Sequence, residues 1–130
     1  MGRDEVIYYL DTHVLVRICQ GEVSKLGREA RKAIDRNEVL ASAAAILELE
    51  MLHEIGRLKI TAPKALAMLA TDIGLRVCDM PFRTIVDHAL TETWTRDPFD
   101  RLIVANAKAA GAPLVTKDER ILGHYSRALW

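Results

Sequence analysis

The chain has 130 residues, 50% of them apolar and 28% charged, with 18 basic side chains balancing 18 acidic ones. That length suits one domain, which buries about two-thirds of its unfolded surface and needs neither disulfide nor structural metal to fold. Zero net charge excludes a strong non-specific pull on nucleic acid, leaving only a local basic rim for that role, and the lack of an apolar run of about 18 residues excludes a membrane span.

The opening MGRDEVIYYL has no secretory apolar region and no small-residue cleavage site, which points to a cytoplasmic protein. Residues 6–10 (VIYYL) form a short β-rich run, and Asp11 stands at its end. THVLVRICQ follows without a turn and predicts a helix that Asp11 would cap. Residues 25–36 predict a mostly polar second helix with Leu26, Ala30, Ala33 and Ile34 inward. Residues 39–42 predict a second strand, and AAAILELEMLHEIGRL a strong helix with Gly56 at its end. On that wheel Glu50, His53 and Glu54 form a solvated face, while Glu48 lies between Leu52 and Ile55 with Met51 close by. Capping cannot account for a mid-helix carboxylate on an apolar face. It needs a buried cation, a place at the rim, or a function.

Pro63 opens a helix over 64–72 that Gly74 ends, and residues 75–78 predict a third strand. Residues 82–94 are amphipathic through Ile85, Val86, Ala89 and Leu90. In DPFDRLIVANAKAAGAPLVTKD, Asp97 is a suitable N-cap and Pro98 a suitable first helical residue; the helix runs to Gly111. Asp100 then shares a face with Ile103, Val104 and Ala107. A carboxylate there is costly unless partnered, although free N–H groups at the helix start offer one explanation. Leu114 and Val115 begin a buried run that Thr116, Lys117 and Asp118 end. A short helical turn follows from Glu119, and Leu129 and Trp130 add an edge strand.

The alternation of strand and helix predicts a single domain over residues 1–130. It is a three-layer α/β/α sandwich around a central parallel sheet of four to five strands. Cys19 and Cys78 have no metal-like spacing and read as buried thiols of a reducing compartment. His13, His53, His88 and His124 show no HxH or HxxxH spacing and read as surface or packing residues. Ligands of open parallel sheets bind at the carboxyl ends of the strands. That edge collects Asp11, Glu48, Asp100 and Asp118. Four negative charges in one crevice repel or take up protons unless a cation intervenes, and oxygen ligands favour Mg2+ or Mn2+ over zinc. Such an ion supports phosphodiester hydrolysis by an activated water, with room for a second ion in a two-metal scheme. A receiver-type phosphoacceptor domain also places acids at strand ends, but it gives an inward helix Glu no task. A haloacid-dehalogenase-like phosphatase wants an Asp where His13 stands. A non-catalytic module would use the acids as caps and buried ion pairs.

YYLDTHVLV, the inward Glu of ILELEMLHEIGRL, RDPFDRLIVANA and PLVTKDERIL together resemble a PIN-domain ribonuclease of the VapC toxin type over essentially the whole chain. The resemblance implies a Mg2+- or Mn2+-dependent endoribonuclease, a homodimer, and a VapB-type antitoxin whose C-terminal segment wraps the toxin. It implies an acidic site of Asp11, Glu48, Asp100 and Asp118, with Asp97 a further acid, and Thr12 and Thr116 as flanking hydroxyls that orient the attacking water. Leu47 departs from the Trp of many relatives, and Glu50 occupies a position often small and apolar. Arg17, Arg57, Lys59, Arg101, Lys117 and Arg120 are candidates for holding RNA phosphates, with Arg101 and Lys117, beside proposed ligands, favoured.

Overall fold

A computed structural model describes residues 6–130. Five strands form one sheet: β1 (Ile7–Leu10), β2 (Glu38–Ala41), β3 (Arg76–Val77), β4 (Leu114–Val115) and β5 (Ala128–Leu129). Their order is β3-β2-β1-β4-β5 and every pairing is parallel. Seven helices cover the sheet in a three-layer α/β/α arrangement: α1 (Thr12–Cys19), α2 (Arg28–Arg36), α3 (Ala43–Glu54), α4 (Ala62–Ile73), α5 (Phe82–Ala89), α6 (Pro98–Ala109) and α7 (Glu119–His124). Leu10, Val39, Ala41, Leu114 and Val115 are fully buried, as strands clothed on both faces require. Leu15, Leu49, Leu69 and Ile103 bring α1, α3, α4 and α6 onto the same core. Among the described residues no helix is long and apolar enough to cross a membrane.

The strand order positions the site. The chain moves outward from β1 through β2 to β3, then returns to the other side of β1 for β4 and β5. The direction reverses between β1 and β4, and crevices form at that reversal beyond the carboxyl ends. Asp11 is the residue after β1, and its N–H donates to Val115 O of β4 at 3.0 Å. The ladder thus fixes the base of the crevice from both strands.

Several boundaries differ from expectation, two of them through contacts with distant residues. The second helix starts at Arg28, not at Lys25, which lies in a 3-10 turn (Val23–Lys25). Gly27 caps α2 in an extended conformation, and Trp130 packs so close that a Cβ on Gly27 would lie 2.6 Å from Trp130 C. The helix expected over 82–94 ends at Ala89. Glu92, 4% exposed, is drawn inward by Lys108 Nζ (2.8 Å) and Trp94 Nε1 (2.9 Å). Ser42 does not continue β2; its hydroxyl accepts from Ala44 N and caps α3. The third strand shortens to Arg76–Val77, with Cys78 N still reaching Ala41 O at 2.8 Å. The edge strand is Ala128–Leu129, one residue earlier than expected. Cys19 and Cys78 are unpaired and half-buried.

Candidate active site

Three of the acids, Asp11, Asp97 and Asp118, are placed by a local rule of chain geometry. Asp11 caps α1 through Oδ1, which accepts from Thr12 N at 2.8 Å. Asp97 caps α6 through Oδ1, accepting from Phe99 N and Asp100 N. Asp118 caps α7 in the same way, accepting from Arg120 N and Ile121 N. Capping holds one carboxylate oxygen at a helix start, where the partial positive charge favours it. Among the described residues no hydrogen bond reaches Oδ2 of Asp97 or Asp118, so those oxygens remain available as ligands.

Thr116 links the two strand-end acids. Its hydroxyl donates to Asp11 Oδ2 at 2.8 Å and accepts from Asp118 N at 3.0 Å. It is fully buried, and both of its hydrogen bonds go to the strand-end acids. Thr95 repeats half of this device, its Oγ1 accepting from Asp97 N at 3.1 Å. The other flanking hydroxyl differs: Thr12 Oγ1 is buried and makes no full hydrogen bond. It faces Glu48 closely enough to lower that carboxyl's pKa without meeting hydrogen-bond geometry.

Electrostatics brings the acids together. Burial is the main cause that raises Asp11, opposed by Thr116, His13 and the Thr12 N–H and reinforced by Asp118. Burial likewise raises Glu48, with Asp11 and Asp97 adding to it. Asp100 rises to about 7, first through burial and then through Asp97, Asp11, Asp118 and Glu48. One side chain therefore senses all four other acids, and carboxylates that repel are those sharing a site. His13 opposes the rise at Asp11 and Glu48, but the ion pairs among the described residues join other side chains.

Glu48 is half-buried, and its surroundings need correction. Ala45 and Leu49 of α3 face the core, but Leu47, Met51 and Ile55 are exposed. Glu48 stands at the border between the core face and an apolar surface stripe, at the rim of the crevice. Glu50 and His53 are not on a solvated face. Glu50 Oε1 accepts from Ala62 N at 2.8 Å and caps α4, and His53 Nδ1 lies 2.9 Å from Leu58 O. Glu54 alone of the three is exposed.

The favoured basic residues separate. Arg101 donates through Nη2 to Ala89 O (2.9 Å) and Leu90 O (3.4 Å), with Nε also on Ala89 O. It closes the carboxyl end of α5 and is not turned to the crevice. Arg120 is committed to Trp94, donating to its carbonyl and lying over its ring. Lys117 is exposed and lines a cavity of about 710 Å3 that also contains Asp11 and Asp118. Arg17 and Arg57 line it too, and Lys59 does not. The sequence reading missed His13, Gln20 and Lys25 of this wall. Only His13 carried a signal, its place two residues after Asp11.

The crevice suits a divalent cation by donor chemistry and charge: all donors are oxygens, the carboxylates raise one another, and a buried hydroxyl beside them lacks a full partner. It is not a preformed coordination shell, for among the described residues no three His, Cys, Asp or Glu side chains are gathered at metal-binding spacing.

Known proteins agree with this architecture. The PIN domain family model matches residues 8–127. Ribonuclease VapC22 of Mycobacterium tuberculosis is 34% identical over 121 residues, covering 88% of this chain and 89% of the relative. The structure of VapBC2 from Rickettsia felis bound to a DNA fragment from their promoter superposes with a TM-score of 0.68 at 18% identity, over 96% of this chain and 98% of the other. DNA-bound VapBC from Salmonella typhimurium gives 0.61 at 19% identity, over 95% of both chains. These structures share the fold. A match over nearly the whole length, with acids at the strand ends and on α3 and α6, leaves no place for a receiver-type domain: the chain belongs to the PIN domain family.

Proposed function

We propose that this PIN-domain chain is a divalent-metal-dependent endoribonuclease of the VapC toxin kind, cleaving RNA phosphodiester bonds at the Asp11–Asp118 crevice and held in check by a VapB-type antitoxin. One observation carries the reading: Asp100 is raised to about 7 by burial and by four other acids, and it is joined to no basic side chain in an ion pair among the described residues. Capping accounts for Asp11, Asp97 and Asp118 but not for Glu48 or Asp100, so a purely structural role leaves two carboxylates unexplained. The relative named as a ribonuclease supports the substrate, and the VapBC assemblies support the antitoxin.

Asp11, Glu48, Asp100 and Asp118 are the residues to hold Mg2+ or Mn2+, with Asp97 at the margin. A bound ion supplies an activated water at neutral pH and neutralises charge on the phosphate. The chain's own part is to fix the donors. Thr116 orients Asp11 while receiving the Asp118 N–H, and the caps hold one oxygen each of Asp11, Asp97 and Asp118. No His or Cys nucleophile is needed. The exposed Leu47, Met51 and Ile55 stripe supports burial against another chain, in keeping with the homodimer typical of the family.

The test is cleavage of single-stranded RNA by purified protein with Mg2+ or Mn2+, with chelator as control. Asp11→Asn and Asp100→Asn abolish cleavage while keeping the wild-type circular dichroism spectrum. Wild-type rates in either variant overturn the assignment.

A further inference from the structure

The acids occupy one end of a longer feature. From Asp11 and Asp118 the cavity of about 710 Å3 extends along α1, walled by the cations Arg17, Lys25, Arg57 and Lys117 and by the acids Glu22 and Glu119, of which Glu22 is taken up by Lys25. Among the described residues, Arg17, Arg57 and Lys117 make no ion pair, whereas Lys25 is bound to Glu22 at 2.7 Å. The three unpaired cations come from three separate elements: α1, the loop after α3, and the loop after β4. Gln20 Nε2 donates to Arg57 O at 3.2 Å, tying that loop to the end of α1. Cations from distant segments have thus been brought onto one wall in a chain of zero net charge.

The chemistry of the wall is specific in what it lacks. No Phe, Tyr or Trp lines it, so bases have no ring to stack on, and single-strand readers that stack bases need such rings. Val16 and Leu52, both half-buried, supply an apolar floor. Guanidinium and ammonium groups are strong phosphate binders, and the absence of rings leaves the wall no stacking platform for bases. Arg101 and Arg120, the other cations adjacent in sequence to the acids, are committed to carbonyls elsewhere.

We propose that this groove is a one-sided, sequence-independent track for the RNA backbone, in which Arg17 and Arg57 hold phosphates on the α1 side of the bond cut at the acidic crevice. The proposal rests on the nuclease reading for the position of the cut, but binding by the groove is separable from it.

The experiment measures binding of fluorescently labelled single-stranded RNA by anisotropy, using the full chain with Asp100→Asn to keep the RNA intact. Cleavage by the parent protein is followed in parallel. Loss of two single-strand phosphate contacts flattens the plot of log affinity against log salt by roughly 1.4, and weakens binding about tenfold at 0.15 M salt. Arg17→Ala with Arg57→Ala is expected to show both effects equally on RNAs of different sequence, and in the parent to raise KM with kcat within about twofold. Arg31→Ala with Lys32→Ala, two exposed cations of α2, serves as the charge control and leaves the slope unchanged. If both pairs change the slope alike, or if neither does, the groove is overturned. A parent that binds RNA through Arg17 and Arg57 but cuts nothing keeps the groove and sinks the nuclease reading.

Discussion

Replacing Asp100 with Asn is expected to stabilise the metal-free protein, which is the opposite of what removing a half-buried polar contact normally does. Asp100 rises from 3.8 to about 7 because burial and four neighbouring acids disfavour its charge. At full strength that shift corresponds to about 4 kcal/mol. The side chain is only half-buried, so solvent screening brings the expected gain at pH 8 to roughly 2 kcal/mol. The folded carboxyl keeps its proton to higher pH than the unfolded one. The folded state therefore binds more protons between about pH 4 and 7, and stability falls as pH climbs through that window. From about pH 8 upward, a unit above the folded value, the loss is essentially complete and the curve is flat in this group. Asp100→Asn removes the carboxyl and with it that part of the slope. Chemical denaturation in chelator at pH 5 and pH 8 reads the effect directly, and a thermal scan shows a rise of roughly 7 °C at pH 8. Saturating Mn2+ reverses the order, since only the wild type keeps the full ligand set and gains the stabilisation of binding. A variant no more stable than wild type in chelator at pH 8 refutes the reasoning, for the acids would then not share a site.

Other substitutions separate structural from functional roles. Arg101→Ala loses about 1–2 kcal/mol in denaturant unfolding, because the α5 carbonyls lose a charged donor, and it leaves RNA affinity unchanged in anisotropy. Glu50→Ala costs about 1 kcal/mol by uncapping α4, whereas Glu50→Gln, which keeps an acceptor, is nearly neutral, and neither changes metal affinity in calorimetry. Thr116→Val costs about 2 kcal/mol in denaturant at pH 8 and less as the pH is lowered through the acid range, since its hydroxyl favours ionised Asp11. A loss that does not change with pH would show that the hydroxyl does not favour the ionised form.

The strands were legible because buried parallel strands must be apolar on both faces, and the runs around Tyr9, Val39 and Leu114 have no other use in a chain this small. Helix ends set by distant residues were not legible. Nothing within 25–36 reveals that Trp130 presses on Gly27. Nothing within 82–94 reveals that Glu92 meets Lys108, sixteen residues away. Local propensity reads the chain along one dimension, and these stops arise from contacts made across the fold. Glu48 was found for a partly mistaken reason: it was read as an inward residue, but the apolar neighbours Met51 and Ile55 are on the surface.

The same distinction explains why acids were easier to place than bases. Asp11 and Asp118 follow strands and cap helices, so the backbone determines where they point. Basic side chains are long, and adjacency in sequence says little about where the charge ends up. Asp100 and Arg101 are consecutive, but successive helical residues diverge by about 100°. The residue beside a crevice-facing Asp in a helix is therefore turned away from the crevice, and Arg101 reaches α5. Lys117 lies in a loop between the buried Thr116 and the cap Asp118, with no helix to turn it aside, and it reaches the cavity. Arg17 is six residues beyond Asp11, and Arg57 comes from the loop after α3; only the folded arrangement makes them neighbours. The acids proposed to hold the metal are thus constrained by secondary structure, and the cations proposed to hold phosphates only by the assembled surface.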